Sequence, residues 1–526
     1  QSIRKYKDEF AINGDLSYLN LDWKPVPIIP KFVDIVVNGM QDRLFSIKAV
    51  GQDNISTGKR TKFVNDVQQD LNTANLLLDI EQKLGVSARN FAVNDLPANT
   101  EELELYMQLN YKQGIEMAEE EAINNIFKAN KYDEIKKRVD YDLTTLGIGA
   151  AKHGFNNTDG VVVEYVDPAN LVWSFTEDPN FKDCYYFGEV KTIKVNELKK
   201  QFPDLSNEDI EELVNKGSNW NDYNDPQYNL YNNSELAAKN TLTVLYFNWK
   251  TWEHDVYKIK EIPTGAKKAI AKDDSFNPPK DKRTRFEKVK QTREVIYEGC
   301  LVLGTDSLLK WEKATNMIRP SSNINKVMMN YVVSAPRLYK GNITSLVSKM
   351  TPYADLIQLT HLKLQQAIQR MTPSGVYVDA DGLAEIDLGN GTNYNPQEAL
   401  NMYFQTGSIV GRSLTQEGDM NPGKVPIQEL NSGTGAGKIQ SLIQTYQYYL
   451  QMIRDVTGLN EARDGSLPDR NTLVGLQKLA ANASNVATRH ITQASLYLTL
   501  KLAENVSLKV ADALEFPLTK SSLQNS

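Results

Sequence analysis

The chain has 526 residues, long enough for two or three domains and a sizeable core. At 41% hydrophobic and 24% charged it has the make-up of an ordinary globular protein. Its formal net charge of −7 argues against a tight nucleic-acid clamp, which needs clustered Lys and Arg to displace counterions, but not against a channel that lets DNA slide past. Two cysteines, Cys184 and Cys300, lack C-x-x-C or zinc-type spacing, which predicts a reduced chain assembled in a cytosol. No apolar run approaches the ~20 residues that span a bilayer, and no secretory leader is visible. The chain opens on Gln1 rather than Met, so further residues upstream are expected.

In chain order, "LDWKPVPIIPKFVDIVVNGMQDRLFSIKAVG" predicts a loop, a helix over 30–42 and a strand over 44–50. In "NTEELELYMQLNYKQGIEMAEEEAINNIFKAN" Thr100 caps a predicted helix, with Leu103, Met107, Tyr111, Ile115, Ala118, Ala122 and Ile126 on its apolar stripe. A second helix follows over 133–146. From Gly154 the period changes, and "GVVVEYVDPANLVW" with its flanks reads as strand, Asp-Gly turn, strand, Asp-Pro turn and further strand. Two short helices occupy "VNELKKQFPDLSNEDIEELVNKG", and an Asn- and Tyr-rich loop runs over 218–234.

"TLTVLYFNWKTWEHDVYKIK" and "EVIYEGCLVLGTDSLLKW" are predicted to pair as strands. Between them, residues 258–293 carry twelve basic residues against five acidic ones, leaving the remainder of the chain distinctly acidic. A solvated mobile loop is the plainer reading of this stretch; a contact with an acidic partner or DNA is the sharper one.

The last third is predicted to hold two matched helices, 352–371 and 437–456, each about 20 residues or ~30 Å long. Thr351 is read as the cap of the first, with Pro352 at its first position. Between them lies a Gly-, Pro- and Asn-punctuated insertion with β-like runs at 375–379 and 424–430. The pattern predicts an antiparallel stalk bearing a compact head. A loop of about 15 residues then begins at 457, long enough to suggest a function. Some forty residues of interrupted helix follow, with a stripe through Leu476, Leu479, Ala483, Val486, His490, Ala494, Tyr497, Leu500 and Val510.

Catalytic signals are thin. Gly433, Gly435, Gly437 and Lys438 imitate a phosphate-binding loop. However, Ser432 stands where its first glycine belongs, and Ile439 replaces the magnesium-binding hydroxyl. The four histidines, His153, His254, His361 and His490, form no metal-ligand pattern, and the "DADG" at Asp379 brings its glycine too early for a calcium loop. No catalytic residue, metal ligand or cofactor is expected. A DNA-processing enzyme with a divergent nucleotide or metal site, or a capsid-associated scaffold without a DNA path, remain the alternatives.

The order of parts resembles the portal (head–tail connector) proteins of tailed bacteriophages, particularly those of crAss-like phages. Four stretches carry it: "PVPIIPKFVDIVVNGMQDRLFSI", "GVVVEYVDPANLVWSFTEDPNFKDCYYFGEVKTIKVNELKKQFPD", "NITSLVSKMTPYADLIQLTHLKLQQAIQRM" and "YQYYLQMIRDVTGLNEARDGSLPDRNTLVGLQKLA". The resemblance implies an α+β portal fold with a mixed α/β wing, a two-helix antiparallel stem, a small β-rich clip and a helical crown. It assigns 1–340 to the wing, 341–372 and 433–456 to the stem helices, 373–432 to the clip, 457–471 to a tunnel loop, and 472–526 to wing and crown helices.

It further implies a non-enzymatic dodecameric ring at one capsid vertex of the virion, assembled in the bacterial cytoplasm. Double-stranded DNA would pass through it without sequence specificity during packaging and ejection. The partners implied are further copies of the chain, the major capsid protein, the terminase large subunit, and later adaptor or tail proteins, with no membrane. Asn460, Arg463, Asp464, Asp469 and Arg470 would sit in the tunnel loop, where the two arginines either touch DNA or pair with the neighbouring acids. Lys349, Lys363 and Arg370 are the stem's channel candidates.

Overall fold

The computed structural model describes residues 21–41, 46–84, 102–103, 106–107, 111–156, 160–217, 241–261, 267–273, 275, 277, 286–320, 322–369, 375–378, 395, 397, 401, 427–430, 435–460 and 485–513. The chain divides into two compact units, Gln1–Phe32 with Lys349–Ala480, and Val33–Ser348 with Ala481–Ser526.

The second unit opens with α1 (Ile29–Gln41, which starts just before the boundary) and α2 (Asn54–Leu84). The first matches its expected span. The second went unpredicted, because its sequence is mostly polar and shows no continuous apolar stripe. Residues 46–50 form no strand; the backbone N–H groups of Ala49 and Gly51 donate to Glu120 Oε1 and Glu116 Oε1 at 3.0 and 2.8 Å instead of to a neighbouring strand. These carboxylates stand on α3 (Gly114–Ala129). The single helix expected from Thr100 through Ile126 is broken, because Tyr111–Gln113 are non-helical and Gln113 caps a fresh start with Glu116 in a capping box. The break shifts the buried face to Glu116, Ile123, Ile126 and Phe127, and exposes Ile115 and Ala118.

Next come α4 (Tyr132–Thr145), β1 (Gly149–Asn156), β2 (Gly160–Tyr165), β3 (Leu171–Trp173) and β4 (Tyr186–Lys194). The Asp-Pro turn forms as expected, with Asp167 accepting from the Ala169 N–H. The two short helices are α5 (Val195–Gln201) and α6 (Asn207–Gly217), followed by β5 (Thr241–Glu261), β6 (Lys267–Lys272), β7 (Phe286–Val302), β8 (Leu308–Lys313), β9 (Tyr331–Ser334), β10 (Leu338–Tyr339) and β11 (Asn342–Ile343). β1 lies between β2 and β9 in one antiparallel sheet; β3, β4, β5, β7 and β8 follow in order in another, with β6 on the free edge of β5.

β5 and β7 pair without interruption from Val244–Val302 to Lys260–Phe286. A loop expectation for 258–293 is therefore replaced, over its described part, by the ends of β5 and β7 and all of β6. Gly299 makes the pairing tight: a Cβ there would run into the Phe247 ring opposite it. That ring also meets Trp311 of β8, with centroids 5.8 Å apart. One core, including Ile148, Leu171, Phe187 and Val333, holds the buried Cys184; another, including Leu198, Leu242 and Val302, holds the buried Cys300. Both thiols are free.

The first unit contains α7 (Leu346–Gln369, which starts just before the boundary), β12 (Gly375–Val378), β13 (Ile427–Leu430) and α8 (Gly435–Thr457). α7 begins six residues earlier than expected, so Pro352 lies inside it. Ser345 is the cap: its Oγ accepts from the Ser348 N–H at 2.9 Å, while Ser348 Oγ accepts from the Ser345 N–H at 3.1 Å. β12 and β13 pair antiparallel, Gly375 opposite Leu430, where the β-like runs were expected. The "DADG" turn lies outside the described residues.

Returning to the second unit, α9 (Arg489–Ala513) is preceded by a short break at Thr488. Its buried face runs through Ile491, Ser495, Leu498, Leu502, Val506 and Lys509. Val486 and Leu500, expected on the stripe, are each 65% exposed. The phase moved because α9 docks through polar groups that a hydrophobic pattern does not count. Ser495 Oγ donates to Asp140 Oδ1 at 2.5 Å, Tyr132 OH to Thr499 Oγ1 at 2.9 Å, and Asn505 Nδ2 to His153 Nε2 at 2.8 Å. Leu476, Leu479 and Ala483 lie outside the described residues.

Candidate functional site

α7 and α8 are 24 and 23 residues long and are linked through the β12–β13 ribbon. On α7, Lys349 is half-buried and Lys363 exposed. Fourteen positions apart, they fall on nearly the same side of the helix, ~21 Å from one another. Arg370 lies outside the described residues. α8 ends because Gly458 adopts φ 71 and its N–H closes onto the Arg454 carbonyl at 2.8 Å. Thr457 Oγ1 also donates to the Ile453 carbonyl at 2.7 Å, and Leu459 is fully buried. These contacts fix the direction in which the chain leaves the helix. Asn460, half-buried, is the one expected loop residue placed there; Arg463, Asp464, Asp469 and Arg470 lie outside the described residues.

A strap along α7 was not anticipated. Residues 21–28 run without helix or strand, yet their backbone is held by two glutamines seven positions apart. Gln365 Oε1 accepts from the Asp22 N–H at 2.9 Å; Gln358 Oε1 accepts from the Val26 N–H at 2.7 Å, and its Nε2 donates to the Lys24 carbonyl at 3.4 Å. Leu21 and Trp23 pack against Leu359 and Leu362. Side-chain amides take the place of a partner strand. The heptad spacing of Gln358 and Gln365 was the available signal, hidden because glutamine on a helix ordinarily reads as solvent-facing.

The exposed faces of these helices carry apolar residues: Leu356 and Ile368 on α7, and Ile443, Tyr448 and Val456 on α8. Tyr448 is 58% exposed. Lys438 of the glycine-rich entry is exposed and lies within the first turn of α8, where the backbone is already helical rather than looped around a phosphate.

In the second unit, a cavity of about 750 Å³ is lined by α2, α3 and residues 48–50. Four of its charged groups pair with one another: Arg60 Nη2 with Glu116 Oε1 at 2.7 Å and Lys112 Nζ with Glu120 Oε2 at 2.6 Å. Elsewhere in that unit, burial and the nearby Lys509 and Lys501 charges push His153 well below the usual imidazole range. Its Nε2 accepts from Asn505, as only a neutral imidazole can. Burial raises Asp142 to about 6, although Tyr165 OH donates to its Oδ2 at 2.5 Å and opposes the shift. Cys300 is pushed up to about 11 by burial, which makes it a poor nucleophile. Among the described residues no group of His, Cys, Asp and Glu is arranged to hold a metal ion, and no helix is long and apolar enough to cross a membrane.

Residues 114–496 match the model of the phage P22-like portal protein family, well over half of the chain. The chain belongs to that family. The match opens at the first residue of α3 and runs through every later element into the start of α9. The protein is thus a bacteriophage structural protein with a portal role, an α+β chain of the head–tail connector class that belongs at the portal vertex of the virion capsid. The family is structural rather than enzymatic, and its members work as oligomeric rings with capsid and terminase partners. No curated protein matches the chain.

Proposed function

We propose that this portal protein forms a ring, dodecameric as its resemblance to crAss-like phage portals suggests, through which double-stranded DNA enters the capsid and later leaves it. The observation that carries this reading is the family match across 114–496. In this reading α7 and α8 form the stem, residues 373–432 the clip that docks the terminase large subunit and then adaptor or tail proteins, and residues 457–471 the tunnel loop. The ring assembles in the bacterial cytoplasm and binds the major capsid protein at one vertex.

Two physical features support it. Exposed Tyr448, Ile443 and Leu356 leave apolar surface on long helices, which copies standing side by side would cover. Sliding requires weak, sequence-blind contacts to phosphate, and the loop's mixed Asn460, Arg463, Asp464, Asp469 and Arg470 offer those without a continuous basic lining. Lys349, Lys363 and Arg370 would add isolated charges along the stem.

The test is a photo-crosslinking residue at Arg463 or Arg470 in packaged particles. Adducts with packaged DNA, independent of sequence, are expected. Intact packaged particles that give no DNA adduct at either position would contradict the channel assignment.

A further inference from the structure

β5, β6 and β7 build an arm whose charges are sorted by face. Beyond Trp249 the sheet loses β4, and beyond Tyr297 it loses β8, so among the described strands β6 alone joins the paired distal halves of β5 and β7. Register assigns the faces, because directly opposed residues in antiparallel strands share one. Lys258 stands opposite Lys288 on β7 and Ile270 on β6; Lys260 stands opposite Lys268; Val256 lies between Lys290 and Lys272. Six lysines therefore occupy one face of three paired strands, and those same-face positions hold no acidic residue. His254 and the exposed Trp252 continue that face toward the sheet.

Glu294, opposite Trp252, shares this face but is buried and accepts from the Val327 N–H at 2.9 Å; the other carboxylates of the distal halves lie on the other side. Asp255 pairs with Arg293 at 2.8 Å, Glu253 pairs with Lys313 and accepts from Tyr297 OH at 2.9 Å, and Glu287 stands opposite Ile259. The positive sum does not depend on how individual lysines are paired. Residues 258–293 contain twelve basic and five acidic residues, so their own carboxylates cannot neutralise them.

We propose that the lysine face of this arm binds the phosphate backbone of duplex DNA, through residues separate from the tunnel loop and stem. The inference rests on the portal reading only in taking duplex DNA as the polyanion at hand. Lysines recur every ~6.6 Å along a strand and every ~4.8 Å across it, a grid that faces several phosphates at once. The residue type decides between partners. Lysine is a hydrated point charge that is depleted in protein–protein interfaces and lacks arginine's planar fork, so an all-lysine face suits a wet, sequence-blind phosphate contact better than an acidic protein surface.

The experiment is anisotropy titration of the full chain with labelled mixed-sequence duplex, from about 50 to about 200 mM salt. The variant Lys258/Lys260/Lys288/Lys290→Gln is expected to bind at least ~10-fold more weakly and to lower the log–log salt slope by about 3 to 4. The four-lysine→Arg version should retain binding. A charge-matched control at exposed Lys59, Lys62, Lys128 and Lys137 should stay within about twofold of the unsubstituted chain. An unchanged affinity and slope in the arm variant, no binding by the unsubstituted chain at low salt, or displacement of duplex by polyglutamate at equal charge would each overturn the proposal. DNA adducts at Arg463 alongside an arm variant that binds normally would sink the arm and leave the channel standing.

Discussion

α9 and α8 are helices of similar length with opposite habits. α9 hides Leu498, Leu502 and Val506 and closes its polar seam with bonds from Ser495, Thr499 and Asn505. α8 leaves Ile443 and Tyr448 in solvent and buries Ile453 and Thr457 only near its end. α9 too exposes Leu496 and Leu500, so the difference lies on the buried side: α9 is anchored within its own unit by packed side chains and polar bonds, whereas the described residues of α8 hold few such anchors. Buried polar bonds mark the anchored helix, while apolar exposure is common to both.

The comparison can be broken most severely in its core. Leu502→Ala should lower the unfolding free energy by about 2 to 5 kcal/mol in urea titrations, through lost burial and a residual cavity. Tyr448→Ala should change it by no more than ~0.5 kcal/mol, yet reduce the fraction of chain in high-mass species by mass photometry. Equal destabilisation by the two would erase the distinction.

The strap on α7 sharpens the contrast at a smaller scale. Gln358→Ala removes two bonds to backbone and should cost about 1 to 3 kcal/mol, with faster hydrogen exchange at the Val26 amide than at amides of α9. Unchanged Val26 exchange would show that the glutamine does not hold the strap.

Acid should act on the second unit through two groups of opposite sign. His153 stays neutral in the fold while the unfolded chain takes a proton near 6.5, so its contribution is complete above that pH and drains as pH falls through it. Asp142 is protonated near 6 in the fold but near 3.8 when unfolded, so the fold gains stability as pH drops between those values. Each contributes at most about 1.4 kcal/mol per pH unit. Urea titrations from neutral to mildly acidic pH should therefore show partial cancellation, steeper acid loss in Asp142→Asn, and a flatter curve in His153→Gln. Identical slopes in all three proteins would contradict the assignment. Gly458→Ala is expected to cost about 1 kcal/mol in the same urea titrations, because φ 71 strains any side chain.

The legible parts of the sequence were those where one period ran without interruption. α4, α8 and the short helices α5 and α6 lie within a residue or two of expectation. Polar substitution at structural positions hid the rest. Ser345 rather than Thr351 caps α7 because a serine pair formed the box, and Gln113 interrupted a stripe that looked continuous. β5 was legible to Lys260, but lysines obscured β6 and the distal part of β7, although the alternation in "AIAK" and "KVK" was present. Of the expected channel residues, Lys349, Lys363 and Asn460 have described positions. Their separate turns on α7 and the loop follow from helix spacing, whereas the lumen they would line requires neighbouring copies that no single chain's sequence displays.

The most direct measurement is cryo-electron microscopy of the purified full chain at high concentration, viewed end-on. A closed ring of copies around an open centre, with Tyr448 and Leu356 covered by neighbouring subunits, is the expected result. Only monomers or dimers across all conditions, or a ring in which these side chains remain in solvent, would contradict it.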